Sequence, residues 1–318
     1  MRHFPFLISA LLVALIILLL VPSRSWAVDS CAESAVALQV LGSGGPIADD
    51  ARSSSGYLIW VNGKARVMID VGSGTFTRFG QAEARFADLD LIALSHFHTD
   101  HAAALPALLK SGYFSPRTRA LAIAGPAGAG PFPSLEEFLS RLLDRERGAF
   151  GYLAGYLDGS AGLVALKPTT TVEDAGQPTP VYRNDDIQVV GLSVPHGIVP
   201  SVAYAVTAKG KTMVLGSDQT TVTAAFSRLA KGADLLLLHA VIPQDAGRAA
   251  RALHAVPSQL AAVAAAAKPG QLVLSHWMAR SLEVQDDILA TVRGAYDGPI
   301  TLATDLACFP LATRADVQ

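Results

Sequence analysis

Apolar residues fall into short runs separated by turn-forming and polar stretches, and these runs set the expected elements. Residues 35–41, 57–61 and 66–71 read as three short strands. Asn62-Gly63, between the second and third, is the kind of pair a two-residue hairpin turn demands, because both central positions take positive φ. Residues 89–95 (Leu-Asp-Leu-Ile-Ala-Leu-Ser) are almost continuously apolar, as expected of a strand buried on both faces. Residues 101–110 predict a helix despite Pro106. Ser134 with Glu137 three residues on is a capping box that opens an amphipathic helix over 134–147. Strand signals return at 187–194, 201–208 and 211–215, with Lys209-Gly210 as a second hairpin turn. They recur at 235–238, 272–274 and 300–302, alternating with helices at 258–267 and 282–296. No internal repeat is visible. The order predicts an α/β protein built as a layered α/β/β/α sandwich.

Residues 111–180 break this rhythm. Glycine and proline crowd 125–133, and 150–162 is aromatic and glycine-rich, with Tyr152 and Tyr156. The expectation is one domain, 28–318, carrying an excursion at about 111–180. That excursion is either a plain connection or a lid or substrate wall.

The first 27 residues stand apart. Arg2 precedes a 15-residue apolar run, 7–21, and Ser25 and Ala27 are small residues at the positions of a cleavage site. This is the pattern of a secretory signal. The run is shorter than the roughly 20 residues a membrane span needs. The expected location is therefore exported, periplasmic or secreted, with an uncleaved membrane anchor as the alternative. Of 318 residues, 51% are hydrophobic and 16% charged, which suits one large core and excludes low-complexity disorder. Loss of residues 1–27 removes Arg2 and Arg24 from 25 Lys+Arg, leaving 23 against 27 Asp+Glu, a net charge of −4. An acidic chain with no basic run predicts a small-molecule substrate and no nucleic-acid partner. Cys31 and Cys308, near the two ends of the mature chain, either pair in an oxidising compartment or are two unrelated buried thiols.

The candidate chemistry lies in Ser95-His96-Phe97-His98-Thr99-Asp100-His101. His96 and His98 share a face of an extended segment. Once the chain turns, Asp100 and His101 can serve a second point nearby. Imidazole nitrogens with a carboxylate are what a divalent metal wants. His196, Asp218 and His276 each follow a buried strand closely, where the loops of one sheet edge gather, and they are the candidate partners.

With these residues in place, the sequence resembles the metallo-β-lactamase superfamily, and within it the arylsulfatase and RNase Z-like branch. The likeness runs over roughly 38–302. It includes the 41–46 and 52–57 segments, Asp70-Val71-Gly72, the HxHxDH motif, His196 with Ser201 and Tyr204 behind it, Gly216-Ser217-Asp218 and Ser275-His276. The resemblance implies the four-layer metallo-β-lactamase sandwich and two divalent metal ions, zinc by default. His96, His98 and His196 would hold one ion, Asp100, His101 and His276 the other, and Asp218 would bridge them. It further implies a hydrolase that uses metal-activated water on a sulfate ester, phosphodiester, carboxylic ester or lactone. Asp100 and His254 are the candidate catalytic residues, His254 as proton donor to the leaving group, with a helix-capping surface histidine as its bland alternative. One departure stands out. RNase Z enzymes carry His-Glu-Ala where this chain has His239-Ala240-Val241, so the glutamate is missing and His239 is left as a supporting or plain core residue. The rival readings are a zinc β-lactamase, which lacks an aspartate at the place of Asp218, and a non-catalytic binding protein on the same fold.

Overall fold

The computed structural model describes residues 31–171 and 176–312, so the secretory pattern of residues 1–27 lies outside the described residues. Two seven-stranded sheets face each other. The first contains β1 (Val36–Gly42), β2 (Gly56–Val61), β3 (Lys64–Ile69), β4 (Leu91–Ala93), β5 (Leu121–Pro126) and β6 (Leu166–Thr171). The second contains β7 (Thr179–Arg183), β8 (Ile187–His196), β9 (Val199–Ala208), β10 (Lys211–Leu215), β11 (Leu235–His239), β12 (Gln271–Ser275) and β13 (Ile300–Leu302). The last strand, β14 (Cys308–Pro310), returns to the outer side of β1.

Three apolar cores, between four layers, follow from strand alternation. Leu38, Val40, Ile59 and Val67 point inward to meet Val189, Val202, Val206 and Leu237 from the other sheet. Their neighbours Leu41, Leu58 and Met68 point outward, under helices that include Leu105–Tyr113 and Leu135–Leu143. On the second sheet Leu236, Leu238 and Leu274 do the same beneath Pro257–Ala267 and Gln285–Arg293. With both faces covered, every residue of β1, β2 and β11 is buried, which is why their sequences run apolar without alternation. The predicted α/β/β/α sandwich is the observed fold.

The repeat that the sequence hides is visible in the pairing. In the order β14-β1-β2-β3-β4-β5-β6, three antiparallel pairings are followed by three parallel ones. The order β7-β8-β9-β10-β11-β12-β13 repeats that scheme.

Several boundaries differ from the sequence reading. The helix expected over 101–110 is two, Thr99–Ala102 and Leu105–Tyr113, with Pro106 at the start of the second, where its missing N–H costs nothing. The capping residue Ser134 accepts from the Glu137 N–H at 3.2 Å, but the helix stops at Leu143. There the Asp144 carboxylate takes over by accepting from the backbone N–H groups of Glu146 and Arg147. The helix expected over 282–296 is Ala279–Leu282 followed by Gln285–Arg293. Residues 111–180 are only in part an excursion, because they supply β5 and β6. β5 (Leu-Ala-Ile-Ala-Gly-Pro) runs into the glycine- and proline-rich stretch that reads as loop, and the polar edge strand β6 (Leu-Lys-Pro-Thr-Thr-Thr) lacks an apolar run.

Cys31 and Cys308 form a disulfide, with their Cα atoms 5.7 Å apart across 277 residues of sequence. It ties β14 to the residues just before β1. Closing so long a loop restricts the unfolded chain, an effect worth ~2–4 kcal/mol in typical cases. The Cys31→Ser/Cys308→Ser variant should lose about that much in equilibrium urea unfolding. Identical midpoints for the variant and the oxidised wild type would contradict a stabilising role.

Candidate metal centre

The strands end at one edge of the sandwich, and the chain must turn sharply there. Asp70, Ser217 and His276 take left-handed φ values of 58°, 57° and 60°, just past β3, β10 and β12. Such geometry costs a non-glycine residue on the order of 1 kcal/mol or more, and it tends to persist where the surroundings enforce it. Two glycines let backbone pass close by. A Cβ on Gly72 would meet the Asp100 carbonyl oxygen at 2.1 Å, and one on Gly45 would meet the His276 ring at 2.8 Å.

All seven sequence-predicted ligand residues converge. The ligand atoms of His96, His98 and His196 lie within 4.8 Å of one another, and so do those of Asp100, His101 and His276. Asp218 sits between the groups. Its Oδ2 is 3.7 Å from His101 Nε2 and 3.9 Å from His196 Nε2, and its Oδ1 is 3.4 Å from His276 Nε2. Asp100 Oδ2 stands 3.3 Å from His276 Nε2 and 3.5 Å from His101 Nε2.

Hydrogen bonds behind the rings decide which nitrogens face inward. Ser95 donates its N–H and its hydroxyl to the two oxygens of Asp70, at 2.7 and 2.8 Å. With that proton committed, His96 Nδ1 at 3.0 Å must donate to the Ser95 hydroxyl oxygen, which leaves His96 Nε2 as a lone-pair donor. His101 Nδ1 pairs with Asp70 Oδ2 at 2.8 Å, and His196 Nδ1 donates to the Leu253 carbonyl at 2.7 Å. Both Nε2 atoms are thereby turned toward the cluster, and His196 Nε2 is buried there without a hydrogen-bond partner. This is the outer arrangement that metal-binding histidines use.

The donor set fits divalent cations. His96 Nε2 lies 3.0 Å from His98 Nδ1, and His101 Nε2 lies 3.1 Å from His276 Nε2. Donors about 2 Å from a tetrahedral zinc stand ~3.3 Å from one another, close to these separations. Burial, followed by the neighbouring His101 charge, holds His96 well below the usual imidazole range. Burial likewise lowers His98 and His196. Neutral rings are what a metal requires. Burial also opposes charge on His101 and His276, but Asp100 and Asp70 outweigh it at His101, and Asp218 and Asp100 at His276, so both are pushed upward. Asp100 is held down at about 2, because His101 and His276 overcome the cost of burying it.

Two contributors lie outside the predicted ligand set: Asp70, which had no role from sequence, and His239, read as a supporting or plain core residue. Asp70 anchors Ser95 and His101, and His239 Nδ1 lies 2.6 Å from Asp218 Oδ1, with its Nε2 3.1 Å from the Tyr57 hydroxyl. His239 is thus a support for Asp218. The signal was present in the strand-end position that marked the other candidates: Asp70 follows β3, and His239 closes β11.

A cavity of about 480 Å³ opens onto the cluster. Phe97, Leu253 and Met278 give it an apolar wall, and Phe97 stacks on Phe138 of the Leu135–Leu143 helix at 4.2 Å between centroids. Arg280 is the only Lys or Arg among its lining residues, and its Nε donates to the Val241 carbonyl at 3.1 Å. His254 lines the same cavity, with Nδ1 3.7 Å from Asp218 Oδ2, and burial lowers it to about 3.

The beta-lactamase superfamily domain matches residues 65–277, about two thirds of the chain, and the protein belongs to that superfamily. Ribonuclease Z of Mycobacterium avium (strain 104) is 27% identical over 284 residues, covering 85% of this chain and 96% of the relative. Ribonuclease Z of Nocardia farcinica is 28% identical over 312 residues, covering 87% and 98%. Human tRNase Z, short form, shares the fold at a TM-score of 0.66 and 20% identity, covering 87% of this chain and 99% of that one. The metallo-beta-lactamase fold protein YhfI from Bacillus subtilis gives the same values. The protein is a metal-dependent hydrolase of the metallo-β-lactamase fold. These relatives also correct one expectation. Absence of a nucleic-acid partner was read from net charge, yet the similar proteins are named for ribonuclease and tRNase activity. Net charge describes the whole surface, whereas substrate choice rests on local groups.

The Asp218→Ala variant should lose metal by elemental analysis and lose the thermal stabilisation that added zinc gives the wild type. Full metal content in this variant would remove Asp218 from the ligand set.

Proposed function

We propose that the protein is a dinuclear phosphodiesterase. The observation that carries this reading is Asp218 between two histidine groups, with Arg280 among the residues that line the same cavity. His96, His98 and His196 would hold one cation, Asp100, His101 and His276 the other, with Asp218 shared, and zinc suits this donor set. Bound there, the cations would make a water acidic enough to attack near neutral pH and would stabilise charge on the phosphoryl oxygens. Arg280, fixed through the Val241 carbonyl, would pair with a non-bridging oxygen of the anionic diester. The water oxygen bonds to phosphorus as the bond to the leaving oxygen breaks. His254 passes its proton to that oxygen and recovers one from the water. Burial lowers His254 to about 3, so the proton it donates would be held only beside the negative charge of a diester, which raises its proton affinity.

Asp218 and the ribonuclease Z relatives favour this reading over a β-lactamase. A sulfate ester shares the anionic charge that Arg280 would recognise, whereas carboxylic esters and lactones do not. The Cys31–Cys308 disulfide and the pattern of residues 1–27 support an exported location, because cytosolic thiols stay reduced. Recovery of the native protein from the cytosol in reduced form would overturn that location.

The zinc-loaded protein should turn over bis(p-nitrophenyl) phosphate well above p-nitrophenyl sulfate, a lactone or a chromogenic cephalosporin, with a tRNA precursor as a further diester. Dominant turnover of the cephalosporin or the sulfate would refute the phosphodiesterase reading. His254→Ala should retain metal and lower kcat by about 10²-fold or more on diesters with alcohol leaving groups, and much less on nitrophenolate, which departs without a proton. Equal losses on both would refute the proton-donor role.

A further inference from the structure

Large apolar side chains are exposed at six positions among the described residues, and three of them, Tyr113, Phe114 and Tyr152, surround one lysine. The rings are 50%, 75% and 67% exposed. The Lys110 ammonium stands 4.3, 4.9 and 5.5 Å from their centroids, in that order. Tyr113 and Phe114 meet edge to face at 5.1 Å. Cation–π attraction keeps the four side chains together as one patch. Contiguous apolar surface left in water marks a place where something binds.

The backbone beneath the patch is fixed. Lys110 and Tyr113 belong to the last turn of the helix Leu105–Tyr113, and Tyr152 to the turn Gly151–Leu153. Tyr156 joins the two segments, because its buried hydroxyl donates to the Leu109 carbonyl at 2.7 Å. Gly112 makes room for this contact: a Cβ there would meet the Phe86 ring at 2.4 Å and the Tyr156 hydroxyl at 2.6 Å. Residues 150–162 supply none of the metal cavity's lining, so that site does not explain the exposed aromatics.

The patch lies toward the edge of the sandwich opposite the metal cluster. The helix Leu105–Tyr113 starts beside Val71, whose carbonyl accepts from the Ala104 N–H, and runs for nine residues, about 13 Å, away from it. Gly112, near its end, meets Phe86, which precedes β4, and β4 runs parallel to β3 toward the cluster. The described chain begins at that same edge. The Ala32 carbonyl is 3.0 Å from where a Cβ on Gly63 would stand, in the turn between β2 and β3. Thirty residues precede Cys31, and they include the apolar run 7–21.

We propose that this patch rests on the surface of a lipid bilayer and leaves the metal site facing away from it. The inference depends on the exported location and is independent of the phosphodiesterase reading. A secretory signal delivers the chain to a membrane surface whether the run 7–21 is removed there or stays as an anchor. Tyr113, Tyr152 and Lys110 each carry a polar tip on an apolar body, the kind of side chain that settles at headgroup depth, and Phe114 enters below them. Lysine is depleted where proteins meet one another, whereas anionic headgroups attract it. The lysine at the centre of the patch therefore favours lipid over a second protein surface.

The protein as its exporting host leaves it, with or without residues 1–27, serves for the test. Phe114→Trp places an indole at the most exposed position of the patch. On vesicles of phosphatidylglycerol and phosphatidylethanolamine brominated in the upper acyl chain, emission from this variant should be quenched beyond any loss in the wild type, which carries Trp26, Trp60 and Trp277. Adding Tyr113→Ala and Tyr152→Ala should abolish the extra quenching while metal content stays at the wild-type value. Adding Lys110→Gln to Phe114→Trp instead should raise the lipid needed for half quenching by about fivefold on these vesicles, and leave it unchanged on brominated phosphatidylcholine. Absence of extra quenching, or extra quenching that survives Tyr113→Ala/Tyr152→Ala, overturns the proposal. So does a dimer in sedimentation that Tyr113→Ala/Tyr152→Ala dissociates, because the patch then serves a second copy of the chain. Recovery of the native protein from the cytosol would remove the exported location, and the vesicle measurement would still decide whether the patch takes lipid.

Discussion

The Asp218 carboxylate is buried among His101, His196, His239, His254 and His276. An isolated carboxylate in such a place would take up a proton. Burial pushes Asp218 that way, but the charge on His276, the neighbouring His101 and the hydrogen bond with His239 hold it far below the usual range. Each histidine in turn gains a reason to face inward. The backbone that carries Asp218 is fixed by the Ser201 hydroxyl, which donates to its carbonyl at 3.0 Å. Breaking one member of so concentrated a network exposes the cost of burying the rest.

The two sheets are joined directly beneath this cluster. The Val202 N–H donates to the Ser95 carbonyl at 3.0 Å, and the Tyr204 hydroxyl donates to the Leu94 carbonyl at 2.8 Å. The segment that carries His96 to His101 is thus tied to the sheet that carries His196 and Asp218. The repeated pairing scheme gives the site a division of labour. Asp70, after β3, works behind the imidazoles, whereas Asp218, after β10, works among them.

The place of His239 takes on a meaning in the fold. His239 is held by Asp218 on one side and Tyr57 on the other, so it supports a metal ligand and does not face the cavity as His254 does. The apolar wall, in contrast, depends on the 111–180 stretch. Phe138, from the helix between β5 and β6, backs Phe97 at the mouth of the site.

The residues of the site were legible because the chemistry of metal binding restricts residue types and spacing tightly. His96, His98, Asp100 and His101 lie within six positions, and His196, Asp218 and His276 each follow an apolar run. The layered class was legible because strands covered on both faces must be apolar along their whole length. The strands β5, β6 and β7, the choice between a disulfide and two free thiols, the supporting role of Asp70, and the choice between support and plain core for His239 were not. Each depends on contacts between residues far apart in the chain, such as Asp70 with His101 or Cys31 with Cys308. A short or polar strand carries too little pattern of its own to announce the neighbour it will pair with. The sequence by itself marked the side chains whose atoms could bind a metal. Only the tertiary structure decided what stands behind those atoms and what shape of substrate can reach them, because both follow from how the two sheets close on each other.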